Sequence, residues 1–530
     1  MTNPPPAQPE SPIAASSSQR PVLRTPAIRL LIIAVGLGLW ANALFIKQPL
    51  GLSAPLFALT ALLVLFGLAA WGDITPAWRN VWLAAPLLFF AVMVAVRASA
   101  FVIFLNLCAA LLLTGLLAHL FTGGSIFTLS VTDYVAQGLT AGFEIGLIRP
   151  IQALELSWRE GQISKGLPPR LVAILRGVGL AIPVLFVFTF LLTSADVAFN
   201  QSVLDVLKAL SLDNAAEVVL RLFFAAVVAW ACLGGLAYAF RTDKLLEAAI
   251  PTSGTLNIKL GFTETAIILG GVNLLFAAFV GVQFRYFFGG QSNITVAGFT
   301  YSEYARRGFG ELVVVAVFAL GLALLLQILT PRRQAFARWG FNGLAFVLVA
   351  LTSIILASAF QRLVLYEEAY GFTELRTYPH VFMIWLGALL GAFVITVLID
   401  RPRLFVFGTL MAGLGFVATL NLLNTDAFVA RQNISRYRQT GKLDAPYLAT
   451  LSDDAIPELL PLLDTAGPAE RDILGSALHF RLDELDALQA TASWQGWNWA
   501  RSRAHQLLAA HRPALELYVP QRYGGMIPGD

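Results

Sequence analysis

Long runs of apolar residues, separated by short polar segments, fill most of the chain. A helix needs about 20 apolar residues to cross the hydrocarbon core of a bilayer. The first run extends from Ile28 to about Phe45. Ten further runs lie near 51–70, 80–96, 99–120, 172–193, 216–240, 265–284, 310–330, 341–360, 380–399 and 404–423. The pattern therefore predicts about eleven membrane-spanning helices.

The composition supports this interpretation. Hydrophobic residues make up 57% of the chain and charged residues 13%, and the mean hydropathy is +0.71. An average soluble protein is roughly 45–50% apolar and about 25% charged. Because a soluble fold cannot hide this much apolar surface, we expect an all-α polytopic transmembrane helix bundle in contact with membrane lipids. The net charge of +4 is not a nucleic-acid signal, and no nucleic-acid partner is expected.

Polar segments divide the chain into three parts. Residues 1–26 are rich in Pro and Ser and are expected to be disordered. Residues 27–424 are expected to form the bundle, and residues 425–530 a small C-terminal helical domain. The tripeptide at 41–43 resembles a signal-peptidase site, which leaves cleavage of the first span as an alternative. An uncleaved span is favoured, because the apolar run continues to Phe45.

One segment within the bundle, near 122–171, is too polar to span. Pro150 suits the first turn of a helix, and Ile151, Leu154 and Trp158 then share one face. This amphipathic pattern is typical of a cytoplasmic helix that lies in the headgroup region. A helix packed under the bundle explains the same pattern, and both alternatives stay open.

Lys and Arg residues in the loops predict the orientation, because cytoplasmic loops carry the excess of them. With the N-terminus inside, the inner segments hold about twice as many as the outer loops. Arg149, Arg332 and Arg333 are then inner, whereas Lys47 and Arg97 are outer. We therefore predict a cytoplasmic N-terminus and an extracytoplasmic C-terminal domain.

Few polar groups lie inside the predicted spans. Ionisable residues there are functional suspects, because burying their charge in lipid is costly. The deepest polar residues are Asn106 and Asn273, which suit hydrogen bonds between helices. No acid occupies a predicted span centre, which argues against proton-coupled transport. The chain also lacks common phosphate-binding, zinc-binding and nucleophile motifs, so we expect no metal, no cofactor and, on balance, no enzymatic activity.

Charged and aromatic residues concentrate before the eighth and tenth spans and after the last span. By parity these segments emerge on the same, extracytoplasmic side. Arg forks bind anions in a bidentate manner and Tyr rings offer flat faces, so we predict a site for an anionic headgroup or envelope glycan. Alternatively, the charges pair with one another and anchor the tail. The predicted site residues are Tyr301, Glu303, Tyr304, Arg306, Arg307, Glu311, Tyr370, Glu374, Arg376, Asp426 and Arg431.

Four stretches in these segments carry a resemblance to a known family. They read YSEYARRGFGEL from Tyr301, AYGFTELRTYPHVFMIWL from Ala369, NLLNTDAFVARQNISR from Asn421, and LDAPYLATLSDDAIPEL from Leu443. Together they resemble a family of uncharacterised bacterial multi-pass inner-membrane proteins that is defined only as a domain of unknown function. The resemblance extends over roughly residues 170 to 500. It implies a bacterial inner-membrane setting and supplies no catalytic residues.

Three classes of function remain. We favour an envelope-associated binding or accessory protein that uses the extracytoplasmic polar site. The alternative is a transporter of a small solute or lipid. Transporters often have pairs of broken helices in two repeated halves, and the sequence shows no clear pair of this kind. Less favoured is a membrane-embedded transferase acting on lipid-linked sugars. Such enzymes usually place acids in the first outer loop, and Ile46 to Leu50 contains none.

The predicted topology is tested with reporter fusions. A periplasm-dependent reporter fused after Tyr447 should be active, and the same reporter fused near Gln162 should be silent, because the two positions lie on opposite sides. Activity at Gln162 would contradict the orientation. A mature N-terminus at Leu44 would instead support cleavage of the first span.

Overall fold

A computed structural model describes residues 26–72, 74–124, 140–160, 215–241, 260–287, 309–330, 334–401, 403–491 and 493–523. Regular structure within these ranges is helical, which confirms the predicted fold class. Ten of the described helices are long and apolar enough to cross a membrane. Each coincides with a predicted apolar run. The remaining predicted span, near 172–193, lies outside the described residues.

The N-terminal helices pack around one apolar core. They are α1 (Ala27–Phe45), α2 (Ser53–Trp71), α3 (Ala84–Val96), α4 (Ala100–Leu120), α5 (Arg149–Glu160) and α6 (Ala215–Ala239). A 3-10 turn, Trp78–Leu83, precedes α3, and a π turn, Glu144–Ile148, precedes α5. Leu30, Phe90 and Leu113 are fully buried in this core.

The C-terminal spans form a second core. They are α7 (Phe262–Phe287), α8 (Phe309–Leu329), α9 (Ala335–Tyr370), α10 (Glu374–Leu398) and α11 (Arg403–Leu423). Phe341, Leu363 and Phe393 lie at the centre of this core. Helix α11 packs against both α10 and α4 and therefore joins the two groups.

A pair of buried amides holds α4 against α11. The Nδ2 of Asn106 donates to Oδ1 of Asn421 at 3.0 Å, and Nδ2 of Asn421 donates back to Oδ1 of Asn106 at 2.7 Å. Both side chains are fully buried. Asn273 likewise donates from α7 to the Leu344 carbonyl of α9 at 3.0 Å. The predicted use of both amides in helix–helix hydrogen bonds is confirmed.

Helix α9 is longer than its apolar run. At 36 residues it extends roughly 54 Å, well beyond the ~30 Å hydrocarbon core. The polar stretch from Tyr366 to Tyr370, expected as part of a loop, is therefore the last part of this helix. The connection to α10 consists only of Gly371, Phe372 and Thr373.

The tail after the last span is a set of shorter helices. They are α12 (Thr425–Thr440), α13 (Ala445–Leu448), α14 (Ile456–Leu459), α15 (Pro468–Thr491), α16 (Trp499–Ala510) and α17 (Arg512–Leu515). Helix α14 is short because 3-10 turns flank it and interrupt the helical structure between Asp453 and Asp464. Pro457 and Pro461 explain the interruption, because proline supplies no N–H for the helical ladder.

Candidate functional site

The tail closes on one end of the bundle. The α1–α2, α3–α4 and α9–α10 connections all contact it through hydrogen bonds. These are the connections that the predicted topology places on one side of the membrane. We call this surface of contact between tail and bundle the seam.

Arg97, between α3 and α4, ties three parts of the protein together at the seam. Its Nε and Nη2 donate to the carbonyl oxygen of Asn421, at the end of the last span, at 2.9 and 2.6 Å. Its Nη1 lies 3.2 Å from Oδ1 of Asp454 in the tail. The other oxygen of Asp454 accepts from the backbone N–H of Ala98 at 2.6 Å. The carboxylate is 4% exposed, so this interaction is shielded from solvent.

The α1–α2 connection meets the tail backbone to backbone. The N–H of Leu52 donates to the Trp497 carbonyl at 3.0 Å. A Cβ on Gly51 would overlap the same carbonyl oxygen, so only glycine permits this approach. Asn498 completes the contact by donating to the carbonyls of Val94 and Arg97 at 3.2 and 2.9 Å.

The α9–α10 connection is bound by two tail side chains. Asn433 donates to the Phe372 carbonyl at 2.7 Å and accepts from the Phe372 N–H at 3.0 Å. The Tyr447 hydroxyl accepts from the Glu374 N–H at 2.8 Å. The short connection is thereby held by the same kind of hydrogen bonds that a neighbouring strand would supply.

Two carboxyl groups meet at the centre of the seam. Asp426, on α12, is 2% exposed and accepts the Ser452 N–H at 3.0 Å, but its Oδ1 has no donor within reach. Burial, with the nearby charge of Glu374, raises the pKa of Asp426 to about 7. The Glu374 carboxyl accepts from Tyr378 at 2.7 Å. We therefore expect a proton shared between Asp426 and Glu374, which would give the unpaired oxygen a partner.

Two further acids line the tail side of the seam. Burial raises the pKa of Asp453 and of Asp454, although nearby arginines act in the opposite direction. Burial also lowers the pKa of Arg501, and the charge of Asp453 partly offsets this. The seam therefore keeps several ionisable groups out of water at a cost that its hydrogen bonds must offset.

The predicted site residues are only partly brought together. Glu374 and Asp426 meet as described, whereas Arg431 forms a 2.9 Å ion pair with Glu458 within the tail. Glu311 is exposed in the first turn of α8. Outside the described residues lie Tyr301, Glu303, Tyr304, Arg306 and Arg307.

The remaining predicted residues surround Tyr366 of α9. The guanidinium of Arg376 lies 4.1 Å from the centre of the Tyr366 ring, which is cation–π geometry. The ring centres of Tyr370 and Phe309 are 5.1 and 6.5 Å away. Arg376 also donates to the Gly371 carbonyl, so part of its hydrogen-bonding capacity is used to hold the end of α9.

A cavity of about 230 Å³ opens at the seam, between the α1–α2 connection and helices α15 and α16. Trp494 and Trp497 are 58% and 43% exposed. Arg501 donates to the Leu50 carbonyl, and His505 lies 2.9 Å from Asp486. None of these residues was predicted as part of a site. The main residues that line this cavity are Pro49, Leu485, Trp494, Trp497, Arg501 and His505.

A second polar feature lies within the N-terminal group of helices, at the start of α5. Glu144 and Arg149 form an ion pair in which Nε and Nη2 of Arg149 are both 2.7 Å from Oε2 of Glu144. Their side chains are 3% and 1% exposed. The pair lies outside every predicted span, in the segment assigned to the cytoplasm, and it was not predicted as a site.

The segment around this pair packs against α1 and α6. Of the two alternatives for the amphipathic helix, packing against the bundle therefore describes α5. Ala153 and Ser157 face the bundle and are fully buried. The side chain of Trp158 lies outside the described part of the chain.

These features define a multi-pass helical membrane protein with a tail packed against one end of its spans. Residues 84–462 match the family DUF4153, described as a domain of unknown function. The match covers more than half of the chain, which therefore belongs to this family. It begins earlier than the resemblance at about residue 170 suggested, and it ends before the last tail helices. No curated protein and no solved structure matches the chain.

The raised pKa of Asp426 predicts how stability depends on pH. An unfolded aspartate has a pKa of about 4, so between about pH 4 and pH 7 only the folded protein keeps this proton. Stability should therefore fall as pH rises through that window and level off above it. In Asp426→Asn the amide can donate to Glu374 at every pH, so the decline in stability between about pH 4 and pH 7 should disappear. Above pH 7 this variant should therefore unfold at a higher temperature than wild type.

Thermal unfolding of the detergent-solubilised protein across this pH range measures the effect. The matched control is Asp464→Asn, at an exposed aspartate of the same tail, whose curve should run parallel to wild type. A curve for Asp426→Asn that also runs parallel to wild type would contradict the shared proton.

Proposed function

We propose that this protein is an envelope-associated binding or accessory protein of the bacterial inner membrane. In this proposal the N-terminus is cytoplasmic, and the tail with the seam lies on the extracytoplasmic side. The ligand is an anionic lipid headgroup or an envelope glycan. The observation that carries the proposal is the cavity between Pro49 and the tail helices, with its exposed tryptophans beside Arg501 and His505.

The position of the cavity supports a ligand taken from the membrane surface. Pro49 lies in the connection between the ends of α1 and α2, which are apolar enough to span. The cavity therefore opens at the level where these spans leave the bilayer. Tryptophan is enriched at this level because its ring is apolar and its N–H is polar.

The chemistry of the lining supports the same ligand class. Sugar rings and headgroups present both apolar faces and hydrogen-bonding edges. Trp494 and Trp497 offer flat apolar faces, and Arg501 and His505 carry donors close by. The rigid attachment of Trp497 and Asn498 to the bundle means that little order must be gained on binding, which favours affinity.

The predicted residues around Tyr366 offer a second place for the same ligand. Tyr370 is half exposed, and Arg376 is already stacked on Tyr366. Glu311 begins the neighbouring helix α8. The segment from Tyr301 to Arg307 precedes it in the chain, and its part in the site stays a prediction. We place the ligand in the seam cavity because there the tail and bundle enclose a volume.

The test compares molecules that co-purify with the full chain, measured by native mass spectrometry after extraction into lipid nanodiscs. Trp494→Leu should lose a bound lipid or glycan while the unfolding temperature stays near wild type, because Trp494 is mostly exposed. Trp499→Leu is the matched control, since Trp499 is exposed nearby but does not line the cavity.

A third variant separates the two places. If Arg376→Gln removes the bound molecule and Trp494→Leu does not, the site lies around Tyr366. If wild type and every variant carry no molecule beyond the nanodisc lipid, the seam only anchors the tail and the binding function is contradicted.

A further inference from the structure

The Glu144–Arg149 pair lies beside the membrane-spanning part of α6. The indole N–H of Trp230 donates to the Gly146 carbonyl at 2.8 Å. At Gly234 the backbone carbonyl of Ile145 approaches so closely that any Cβ would overlap it. The spanning part of α6 runs from Leu220 to Ala239, so the π turn packs against the C-terminal half of this span, before its end.

Stability is a poor explanation for this pair. Ionisable groups at this depth are costly, and they usually mark substrate, ion or proton pathways. A buried ion pair often contributes no more than apolar residues of the same volume. The pair also lies on a π turn, Glu144–Ile148, and such turns are frequent at functional sites. Phe143 and Leu147, next to it, are about half exposed, as expected of residues that face lipid.

We propose that Glu144 and Arg149 form an intramembrane binding site for a small carboxylate-bearing solute that enters together with one proton. The group on the Arg149 fork in this structure is itself a carboxylate, so a solute carboxylate replaces it with the same charge and shape. Glu144 takes up the proton as it leaves Arg149. The guanidinium exchanges the Glu144 carboxylate for the solute carboxylate, so this exchange leaves the net charge of the site unchanged.

Other ionisable groups on the packed elements contribute less directly. On α6 these are Glu217, Arg221, Cys232 and Tyr238. Arg241 follows α6, and its guanidinium lies 3.6 Å from the centre of the Tyr238 ring. Glu155 lies further along α5, and Arg29 of α1 stacks on a tryptophan of α2. Glu144 is the acid bound to the Arg149 guanidinium through two contacts, and the proposed exchange uses it.

Such an exchange is a transport-type function, which goes beyond the proposed binding role of the seam. It uses the segment Glu144–Ile148 and the start of α5, and it shares no residue with the cavity. The two proposals therefore fail independently. Loss of the seam ligand leaves this site untouched, and the reverse also holds.

The experiment measures the thermal unfolding of the full chain in lipid nanodiscs, with the monocarboxylate acetate as the probe and chloride at equal ionic strength as the reference. For wild type, acetate should raise the unfolding temperature by a few degrees at about pH 6 and much less at about pH 8. Glu144→Gln resembles the protonated acid and should respond to acetate equally at both pH values. Arg149→Lys keeps the charge but loses the fork, and it should not respond.

Two results would overturn the proposal. One is an acetate effect in wild type no larger than that of chloride at either pH. The other is an Arg149→Lys response equal to that of wild type. If Arg149→Lys does not fold, Glu144→Gln still decides the question, because a response that depends on pH as in wild type excludes Glu144 as the proton acceptor.

Discussion

The guanidinium of Arg97 is the interaction on which the arrangement of this protein depends. It is held between the carbonyl that ends the last span and the buried carboxylate of Asp454 in the tail. Removing such a partner from a buried charge is far more costly than breaking an exposed pair. Arg97 therefore links the first spans, the last span and the tail through one side chain.

Two amide contacts extend this constraint in opposite directions. Within the bundle, the reciprocal hydrogen bonds between Asn106 and Asn421 connect α4 to α11. Asn106 lies nine residues after Arg97 in the chain. At the surface, Asn498 binds the carbonyls at the end of α3. Because these amides form hydrogen bonds with their partners, burying them costs little free energy. The contact between the two groups of helices therefore continues into the tail.

The helices could be predicted from sequence because apolar runs of bilayer length have one stable structure in lipid. The amides Asn106 and Asn273 could also be interpreted correctly, since amides in a span need a partner helix. The seam could not be predicted in detail. Arg97 and Asp454 are 357 residues apart, and nothing local distinguishes Asp454 from the exposed acids of the tail. Asp426 and Asn433 lie in the sequence motif after the last span, but their hydrogen-bond partners could not be predicted, because these partners come close only in the folded protein.

The Glu144–Arg149 pair was missed for a different physical reason. Its segment contains too many polar residues for a membrane span, and hydropathy averages them without regard to pairing. Two opposite charges that pair with each other allow such a segment to bury both side chains against the bundle. The spacing of Glu144 and Arg149, with glycine between them, was the available signal, but it is too common to carry the prediction alone.

The central claim is that the tail and the bundle form one unit closed by the seam. Hydrogen–deuterium exchange of residues 493–510 tests it most directly in the variant Gly51→Ala, whose methyl group would overlap the Gly496 and Trp497 carbonyls. Exchange there should become faster, whereas Gly67→Ala, at a glycine of α2 with open space around it, should exchange like wild type. Unchanged exchange in Gly51→Ala would contradict a closed seam.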